Sequence, residues 1–356
     1  MPGLFDPVRL GALDLRNRIV MAPMTRSRAD DADRPTDLHV DYYAQRADAG
    51  LIVSEGIHPS IEGKGYPRTP GIYDDAQRVA WNKVTDAVHA RGGSIVAQLM
   101  HVGRIAAEAN RPTGTDIIAP SAIQANAKLW TATGMSGTMM PRPLETSEIP
   151  GVIEAYASAA ARAIAAGFDG VELHCTSGYL PAQFMATGTN RRTDGYGGSA
   201  ANRVRFVVET LEALAARIGA DRVGFRICPG NPFNDLHDED PAETHATLLD
   251  AIDGLGLAYC HLIAMDVPQG LDHRALAAAH WRGPLILNES IDQVKAEALL
   301  SDGAADAISF GRPFIANPDL VERFRHGYPL ADFDPMLIYA EGTRGYTDYP
   351  AYSPAD

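Results

Sequence analysis

The sequence contains few cysteines and no motif in which cysteines lie close together. Its 356 residues include three, Cys175, Cys228 and Cys260, each near the end of a β-like run. No CxxC pair occurs, which excludes a cysteine-based zinc or iron–sulfur site, and we predict no metal ligands. The low, odd count is typical of a reducing compartment, so we expect a cytoplasmic protein.

The chain also has no excess of positive charge and no long apolar run. Its net charge is -14, with acidic and basic residues mixed along the sequence. Without a basic stripe, nucleic acid is not expected as a partner. No apolar run reaches the roughly 18 residues of a membrane span, and Met1–Arg9 lacks an apolar signal region. We therefore expect no membrane association.

Length and composition are compatible with one large domain. With 356 residues, 46% of them hydrophobic, the chain can bury a sizeable core. Length alone would allow two or three domains, but α/β barrels of this length form one. Because the sequence shows no repeat of solenoid length and no linker, we predict a single domain spanning residues 1–356.

Strand and helix patterns alternate along the chain. Eight short apolar runs predict buried parallel strands: Ile19–Thr25, Leu51–Gly56, Ser94–His101, Gly170–Cys175, Arg222–Cys228, Tyr259–Ala264, Leu285–Glu289 and Ala307–Gly311. The clearest helical patterns are Gln77–Ala90, Ile149–Ala166, Ala200–Ile218, Ala242–Gly254, Ile291–Leu300 and Pro318–Arg325. This alternation predicts a (β/α)₈ TIM barrel. A doubly wound sheet would show a glycine-rich turn after its first strand, and Pro23–Arg26 is not one.

Two segments are too long to be simple connections. One runs from about Val102 to Glu148, after the third predicted strand, and the other is the tail from Ala331. Long loops in compact domains are usually functional lids or caps. We therefore expect a lid segment over the barrel and a C-terminal capping tail.

Alternation along the strands predicts which side chains point into the barrel. Apolar residues should face the helices, which leaves Gln98, Glu172, His174 and Arg226 pointing inward. A barrel interior normally holds branched apolar side chains, so these polar groups need a ligand or one another. Arg226 and Glu172 as a buried ion pair, and Gln98 as a satisfied core amide, are the structural alternatives.

The stretch from Val171 to Tyr179 has the composition of a catalytic rim. His174 ends the fourth predicted strand, and Ser177 and Tyr179 follow three and five residues later. They combine a charge-stabilising imidazole, a second hydrogen-bonding group and a phenol that can donate a proton. A lone His or Tyr is more often a packing residue, but their joint occurrence favours catalysis.

With these motifs, the chain resembles the old yellow enzyme family of FMN-dependent ene reductases over nearly its full length. Besides the His174 stretch, the landmarks are Leu4–Pro7, Asn17–Arg26, Tyr42–Arg46, Ser54–Gly56, Ala97–Arg104, Asn190–Ser199, Asn202–Arg203, Phe310–Phe314 and Gly345–Pro350. Each motif is weak evidence alone, but the occurrence of all of them in this order is specific for the family.

The resemblance implies FMN bound without a covalent bond at the barrel mouth. By motif, the residues around the isoalloxazine ring would be Pro23, Met24, Thr25, Gly56, Gln98 and Arg226. A fixed cation such as Arg226 would stabilise the negative charge of reduced flavin. The loops after strands seven and eight are the usual phosphate site of this fold, which points to Asn288, Gly311 and Arg312. The alternative for Arg312 is a surface residue capping strand eight.

The reaction implied by the resemblance uses NADPH or NADH to reduce the flavin, which then reduces an electron-poor alkene. Hydride would pass from flavin N5 to the β-carbon while His174 and Ser177 bind the substrate oxygen, and Tyr179 would protonate the α-carbon. Tyr66, Met100 and Tyr346 would wall the substrate pocket. The family usually has Asn or His where Ser177 stands, and many members have Trp where Met100 stands. A weaker donor at position 177 predicts slower reduction of enones.

Other functions remain open at this stage. One is reduction of nitro compounds or nitrate esters, or a step in a biosynthetic pathway. Another is a flavin-binding protein with little turnover, although a placed proton donor such as Tyr179 argues against it. The resemblance allows either a monomer or a homodimer.

Overall fold

The protein is built around a closed barrel of eight parallel strands. This computed structural model describes residues 2–288 and 290–353. The strands are β1 (Ile19–Met21), β2 (Leu51–Ile57), β3 (Ile95–Leu99), β4 (Gly170–His174), β5 (Val223–Ile227), β6 (Tyr259–Ile263), β7 (Leu285–Asn288) and β8 (Ala307–Phe310). Each pairs with the next along the chain, and β8 pairs with β1 to close the ring. The predicted (β/α)₈ barrel is confirmed; Glu289, placed in the seventh predicted strand, lies outside the described residues.

Helices surround the barrel. They are α1 (Asp37–Gln45), α2 (Asp75–His89), α3 (Ile149–Ala165), α4 (Leu180–Met185), α5 (Ala200–Ile218), α6 (Pro241–Ile252), α7 (His273–His280), α8 (Gln293–Ser301), α9 (Arg312–Ala316) and α10 (Leu320–His326). The six predicted helices are present, with ends that differ by about two residues or fewer. In the described ranges, no helix has the length and apolar character needed to cross a membrane.

Local sequence explains where the elements begin and end. Helix α5 starts after Ser199, whose hydroxyl accepts a hydrogen bond from the backbone N–H of Asn202. Strand β1 ends at Met21, four residues before the predicted end at Thr25. The last ladder bond in this region is donated by Ala22 to Phe310, and Pro23 has no N–H with which to continue it. The chain then leaves the barrel as a loop above its mouth.

The barrel interior is apolar at one end and polar at the other. The hairpin of Val8–Leu10 and Leu13–Leu15 closes the end where the strands begin. Its leucines belong to one cluster with inward side chains of the strands, namely Val20, Leu51, Val53, Val96, Tyr259, Ile286 and Ala307. The opposite face of each strand packs in a second cluster with the helices, as Leu99, Leu173 and Phe225 do. The predicted inward and outward phases of β3, β4 and β5 are therefore confirmed.

Both long segments lie over the barrel mouth. Within the lid, Lys128–Thr131 pairs with Gly134–Gly137 as an antiparallel hairpin, and Ile118–Ala119 pairs with Arg142–Pro143. The tail is held by Arg26, which donates hydrogen bonds to the carbonyls of Ile338 (3.2 Å) and Gly345 (2.6 Å). The loop after β1 and the C-terminal tail are thus joined into one wall of the mouth.

Candidate active site

The inward polar side chains at the barrel mouth bind one another. Opposite each other on β3 and β4, Gln98 and Glu172 are joined by a hydrogen bond from Nε2 to Oε1 of 2.8 Å. The other carboxylate oxygen of Glu172 lies 2.8 Å from Nδ1 of His261 on β6. Glu172 therefore pairs with His261 rather than forming the ion pair with Arg226 that the sequence left open.

The chain of hydrogen bonds continues across the barrel to β5. Nε2 of His261 lies 2.7 Å from Oγ of Ser309, and the amide of Asn288 donates to the Ser309 carbonyl at 2.9 Å. Arg226 donates to Oδ1 of Asn288 at 2.7 Å. We call these residues the barrel polar network: Gln98, Glu172, His261, Ser309, Asn288 and Arg226. It includes three predicted cofactor residues, and sequence reasoning missed His261 and Ser309.

The charges within the network follow from its contacts. Burial would raise the pKa of Glu172, but His261, Arg226 and Gln98 together hold it below its usual range. Burial, followed by the Arg226 cation, lowers the pKa of His261 despite the opposing effect of Glu172. The network therefore holds a carboxylate and a neutral imidazole, whose Nδ1–H donates to Glu172 while Ser309 donates to Nε2.

One ring nitrogen of His174 is buried and unsatisfied. His174 ends β4 and is buried, and its Nδ1 has no hydrogen-bond partner among the described residues. Burial, followed by the nearby Arg226 cation, lowers its pKa to about 3, so the imidazole is neutral at pH 7. Buried polar atoms in native proteins are nearly always satisfied. This orphan atom fits a site whose remaining partner is a ligand.

Tyr179 lies beside His174 and is paired with Tyr66. The rings of His174 and Tyr179 are 5.1 Å apart, and the two tyrosine hydroxyls are separated by 3.1 Å. Burial raises the pKa of Tyr179 well above the usual value for a phenol, and Tyr66 adds to the shift. The hydroxyl is therefore protonated at neutral pH, as a proton donor must be.

Ser177 is held in a backbone conformation that serine rarely adopts. Its φ is 59°, in the left-handed region, where Asn is among the enriched residues. Its carbonyl accepts a hydrogen bond of 2.8 Å from the amide of Asn234, on the loop after β5. A Cβ on Gly178 would lie 2.8 Å from Cβ of Asn234, so the two loops are in close contact. Asn234 is a site residue that sequence reasoning missed.

A cavity of about 400 Å³ opens beside the two tyrosines. Its walls come from the loop after β1, the lid hairpin, the loop after β5 and the tail; they include Thr25, Tyr66, Trp130, Met135, Tyr179, Phe233, Asn234 and Tyr339. The lid and the tail therefore both contribute to the site. Thr25, predicted at the flavin ring, and Tyr66, predicted as a pocket wall, both line this cavity, whereas Trp130, Phe233 and Tyr339 were not anticipated.

Tyr346, predicted as a pocket wall, lies elsewhere. It is fully buried, stacked on Tyr42 at 4.0 Å, with the guanidinium groups of Arg26 and Arg28 about 5 Å from its ring. The prediction that Tyr346 forms a wall of the substrate pocket is wrong, because its ring is buried against Tyr42 and the two arginine side chains. Tyr339, seven residues earlier, is the tail residue that reaches the cavity.

Met100 and Gly56 pack against each other. A Cβ added to Gly56 would lie 2.6 Å from Sδ of Met100, which is 5% exposed. Close packing against Met100 therefore explains why position 56 has a glycine, independently of the flavin. Met100 belongs to the same cluster as Tyr179, Val102 and Leu129, so it supports the inner wall of the site rather than its open surface.

A second cavity, of about 420 Å³, lies over the ends of β7 and β8. The predicted phosphate residues Asn288, Gly311 and Arg312 line it. Met24 lies beside Gly311, since its Sδ is 3.8 Å from a Cβ built there. The residues predicted for the flavin ring and those predicted for its phosphate are therefore neighbours. Their amides, backbone N–H groups and guanidinium groups fit an anionic flavin nucleotide.

Comparison with known proteins identifies the family. The model of the NADH:flavin oxidoreductase / NADH oxidase family matches residues 3–331. The chain belongs to this family. It is 40% identical over 355 residues to a Leishmania infantum protein named "Probable flavin mononucleotide-dependent alkene reductase", covering 98% of this chain and 97% of that protein.

Solved structures agree in fold over the whole chain. A morphinone reductase variant with one asparagine replaced by alanine, in complex with tetrahydroNAD, superposes with a TM-score of 0.95 at 47% identity, over 99% of both chains. The old yellow enzyme homologue from Zymomonas mobilis superposes with a TM-score of 0.95 at 41% sequence identity, covering 99% of this chain and 100% of that one. The predicted family, the FMN cofactor with a nicotinamide reductant, and the oxidoreductase class are confirmed. The predicted reaction type, alkene reduction, is the one the Leishmania protein's name describes.

Proposed function

We propose that this chain reduces the activated C=C bond of α,β-unsaturated carbonyl compounds, and that residues 1–356 act as a single FMN-binding domain. The observation that carries the proposal is the pairing of a buried His174 that lacks a partner at Nδ1 with the protonated Tyr179 hydroxyl beside it. FMN held at this site would supply hydride-transfer chemistry, with NADPH or NADH as the reductant and the substrate β-carbon as the acceptor.

The residues around the two cavities would hold the cofactor. Gln98 and Arg226 offer hydrogen bonds from inside the barrel, and Pro23, Met24 and Thr25 lie on the loop above it. At the other cavity, Asn288, Gly311 and Arg312 would bind the phosphate through polar and charged contacts. These assignments come from the family motifs, and the positions and chemistry of the residues support them.

His174 would bind the carbonyl oxygen of the substrate. A neutral imidazole has one N–H group that can donate a hydrogen bond to this oxygen. As hydride arrives at the β-carbon, negative charge develops on the oxygen, and a donor fixed in a water-poor site stabilises it. Ser177 would be the second donor, with a shorter reach than the Asn or His typical of the family.

Tyr179 would donate the proton to the α-carbon. Its hydroxyl oxygen lies 3.1 Å from that of Tyr66, and with Tyr66 as the donor of that bond the Tyr179 proton is left for the substrate. A phenol is a weak acid against water, but adequate against an enolate. The high pKa keeps the proton in place until the enolate forms.

The walls of the substrate cavity favour an apolar substrate with one polar end. The rim is formed by Trp130, Met135, Phe233 and Tyr339, which are all more than half exposed. Aromatic and thioether side chains bind apolar surface without requiring directional partners. We therefore expect an extended apolar enone, carbonyl inward, rather than a polyhydroxylated compound.

Reduction of nitro compounds or nitrate esters is the second candidate, and Ser177 favours it. A nitro group has two oxygens and a stronger pull on electrons, so it depends less on a second donor than an enone does. The cytoplasmic location and a monomeric or homodimeric state remain predictions.

A substrate panel run on the reduced holoenzyme separates these functions. FMN-loaded protein is reduced anaerobically with NADPH and mixed with 2-cyclohexenone, a bulkier enone, an aromatic nitro compound or a nitrate ester. We expect the enones to reoxidise the flavin fastest. Reoxidation by the nitro compound alone would favour the second candidate, and reoxidation by none would indicate a flavin-binding protein.

A further inference from the structure

Assuming the proposed FMN site, the geometry points to a function for the barrel polar network. We propose that Glu172 is a counter-charge to Arg226 that lowers the reduction potential of the bound flavin. His261 and Ser309 are positioning residues that keep the carboxylate in place. None of these three has a part in the roles assigned to His174, Ser177 and Tyr179.

Glu172 lies directly beneath the catalytic level of the barrel. It is on the same face of β4 as His174 and two residues earlier, which places it about 7 Å further into the barrel. Its neighbours across the strands are Gln98 on β3 and Gly224 on β5, and Arg226, two residues beyond Gly224, lies opposite His174. The carboxylate therefore lies beside Gln98 and below Arg226, the two inward residues expected at the flavin.

Fold stability alone does not account for a carboxylate at this depth. Glu172 and His261 are fully buried, and replacing buried ionised groups and their partners with apolar residues is often neutral or stabilising. Toward the other end of the barrel, the rest of the inward surface is made of Val, Leu, Ile and Ala together with Tyr259. The Glu172 carboxylate is charged at this depth and hydrogen-bonded at both oxygens, which indicates an electrostatic role.

The effect on the flavin follows from charge. Reduced FMN carries more negative charge than oxidised FMN, so a nearby cation raises the potential and a nearby anion lowers it. The Arg226 cation stabilises the reduced state, and the Glu172 carboxylate partly offsets that effect. Reduced flavin is therefore a stronger hydride donor with Glu172 than without it.

His261 and Ser309 determine the state of the carboxylate. An ionised carboxylate can only accept, so His261 donates to Glu172 through Nδ1–H, and its Nε2 is left as an acceptor 2.7 Å from the Ser309 hydroxyl. Without that donor, Glu172 would lose the hydrogen bond to one of its two carboxylate oxygens, and burial would favour its protonated, uncharged form. Loss of His261 should therefore resemble loss of the charge itself.

The test is the reduction potential of the FMN-loaded protein, measured by equilibrium titration against a reference dye. Glu172→Gln keeps the shape and removes the charge; Glu172→Asp keeps the charge. At an effective dielectric of about 20, a unit charge roughly 10 Å away changes the equilibrium by about tenfold. For a two-electron couple, tenfold corresponds to ~30 mV. We expect Glu172→Gln and His261→Leu to raise the potential by at least that amount and Glu172→Asp to stay near wild type.

Asp33→Asn is the matched control. Asp33 is also a buried carboxylate paired with a histidine, His58 at 3.2 Å, but it lies on the outer loops rather than in the barrel. Its loss should weaken the fold and leave the potential unchanged. An unchanged potential in Glu172→Gln, or in His261→Leu if the first variant takes up no FMN, overturns the proposal. Failure of the wild type to bind FMN would instead overturn the proposed function.

Discussion

Replacing Ser177 with asparagine should make this protein a faster enone reductase. The left-handed backbone at this position, with φ of 59°, suits Asn better than Ser, so the change should not strain the turn. The bond from Asn234 goes to the backbone carbonyl of residue 177 and is unaffected by the side chain. The longer amide would bring a second N–H donor toward the oxygen that His174 binds.

The magnitude comes from the strength of one oxyanion donor. Removing such a donor typically costs roughly 2.7–4 kcal/mol in the transition state. Since the Ser177 hydroxyl can supply part of this, we expect Ser177→Asn to raise the rate of flavin reoxidation by 2-cyclohexenone about ten- to hundredfold. Phenol, which mimics the enolate oxygen, should bind the oxidised enzyme more tightly, as followed by the flavin spectrum.

Ser177→Asp is the control for this experiment. It has the shape of Asn and tolerates the same backbone, but its carboxylate repels the developing negative charge. Its reoxidation rate should fall below that of the wild type. If Ser177→Asn neither speeds reoxidation nor tightens phenol binding, residue 177 does not reach the substrate oxygen, and the reasoning is refuted.

Three further predictions follow from the site. Tyr179→Phe should slow reoxidation by enones, by about 10²–10⁴-fold for loss of a general acid, while flavin reduction by NADPH hardly changes; equal losses in both half-reactions would contradict the proton-donor role. Because burial lowers the pKa of His174 to about 3, its imidazole is neutral at any pH well above 3. The rate of enone reduction should therefore not change through titration of His174 between about pH 5 and 8. A change in rate near pH 6 that disappears in His174→Asn would show that the imidazole titrates there instead. Gly56→Ala should destabilise the fold by about 1–3 kcal/mol, because its methyl group would overlap Sδ of Met100, and Met100→Ala should restore much of that loss in thermal unfolding; a Gly56→Ala protein as stable as the wild type would show that Met100 moves aside at no cost.

The strands of this protein could be predicted well because a two-residue period leaves little choice of face. The alternation that places Glu172 and His174 inward on β4 applies equally to Tyr259–Ile263, where it puts His261 inward. Periodicity does not tell which side chains meet across a barrel, since that depends on the stagger of the strands. The partner of Glu172 therefore became visible only in the structure.

The loops and the short helices were harder to predict, for identifiable reasons. Asn234 and Tyr339 lie on segments without a periodic pattern, so nothing local indicates that they face the cavity. Tyr346 lies in a motif that the resemblance assigns to the pocket, but its ring packs against the buried Arg26 side chain instead. Helix α1, which was not predicted, has His39, Tyr42 and Tyr43 on its buried face rather than a clear aliphatic stripe.

The two half-reactions of the FMN-loaded wild-type protein, observed separately under anaerobic conditions, test the central claim most directly. NADPH or NADH should bleach the flavin absorbance, and 2-cyclohexenone added afterwards should restore it with formation of the saturated ketone. If neither nicotinamide bleaches the flavin, or if the reduced flavin persists in the presence of every enone, this chain is not an ene reductase.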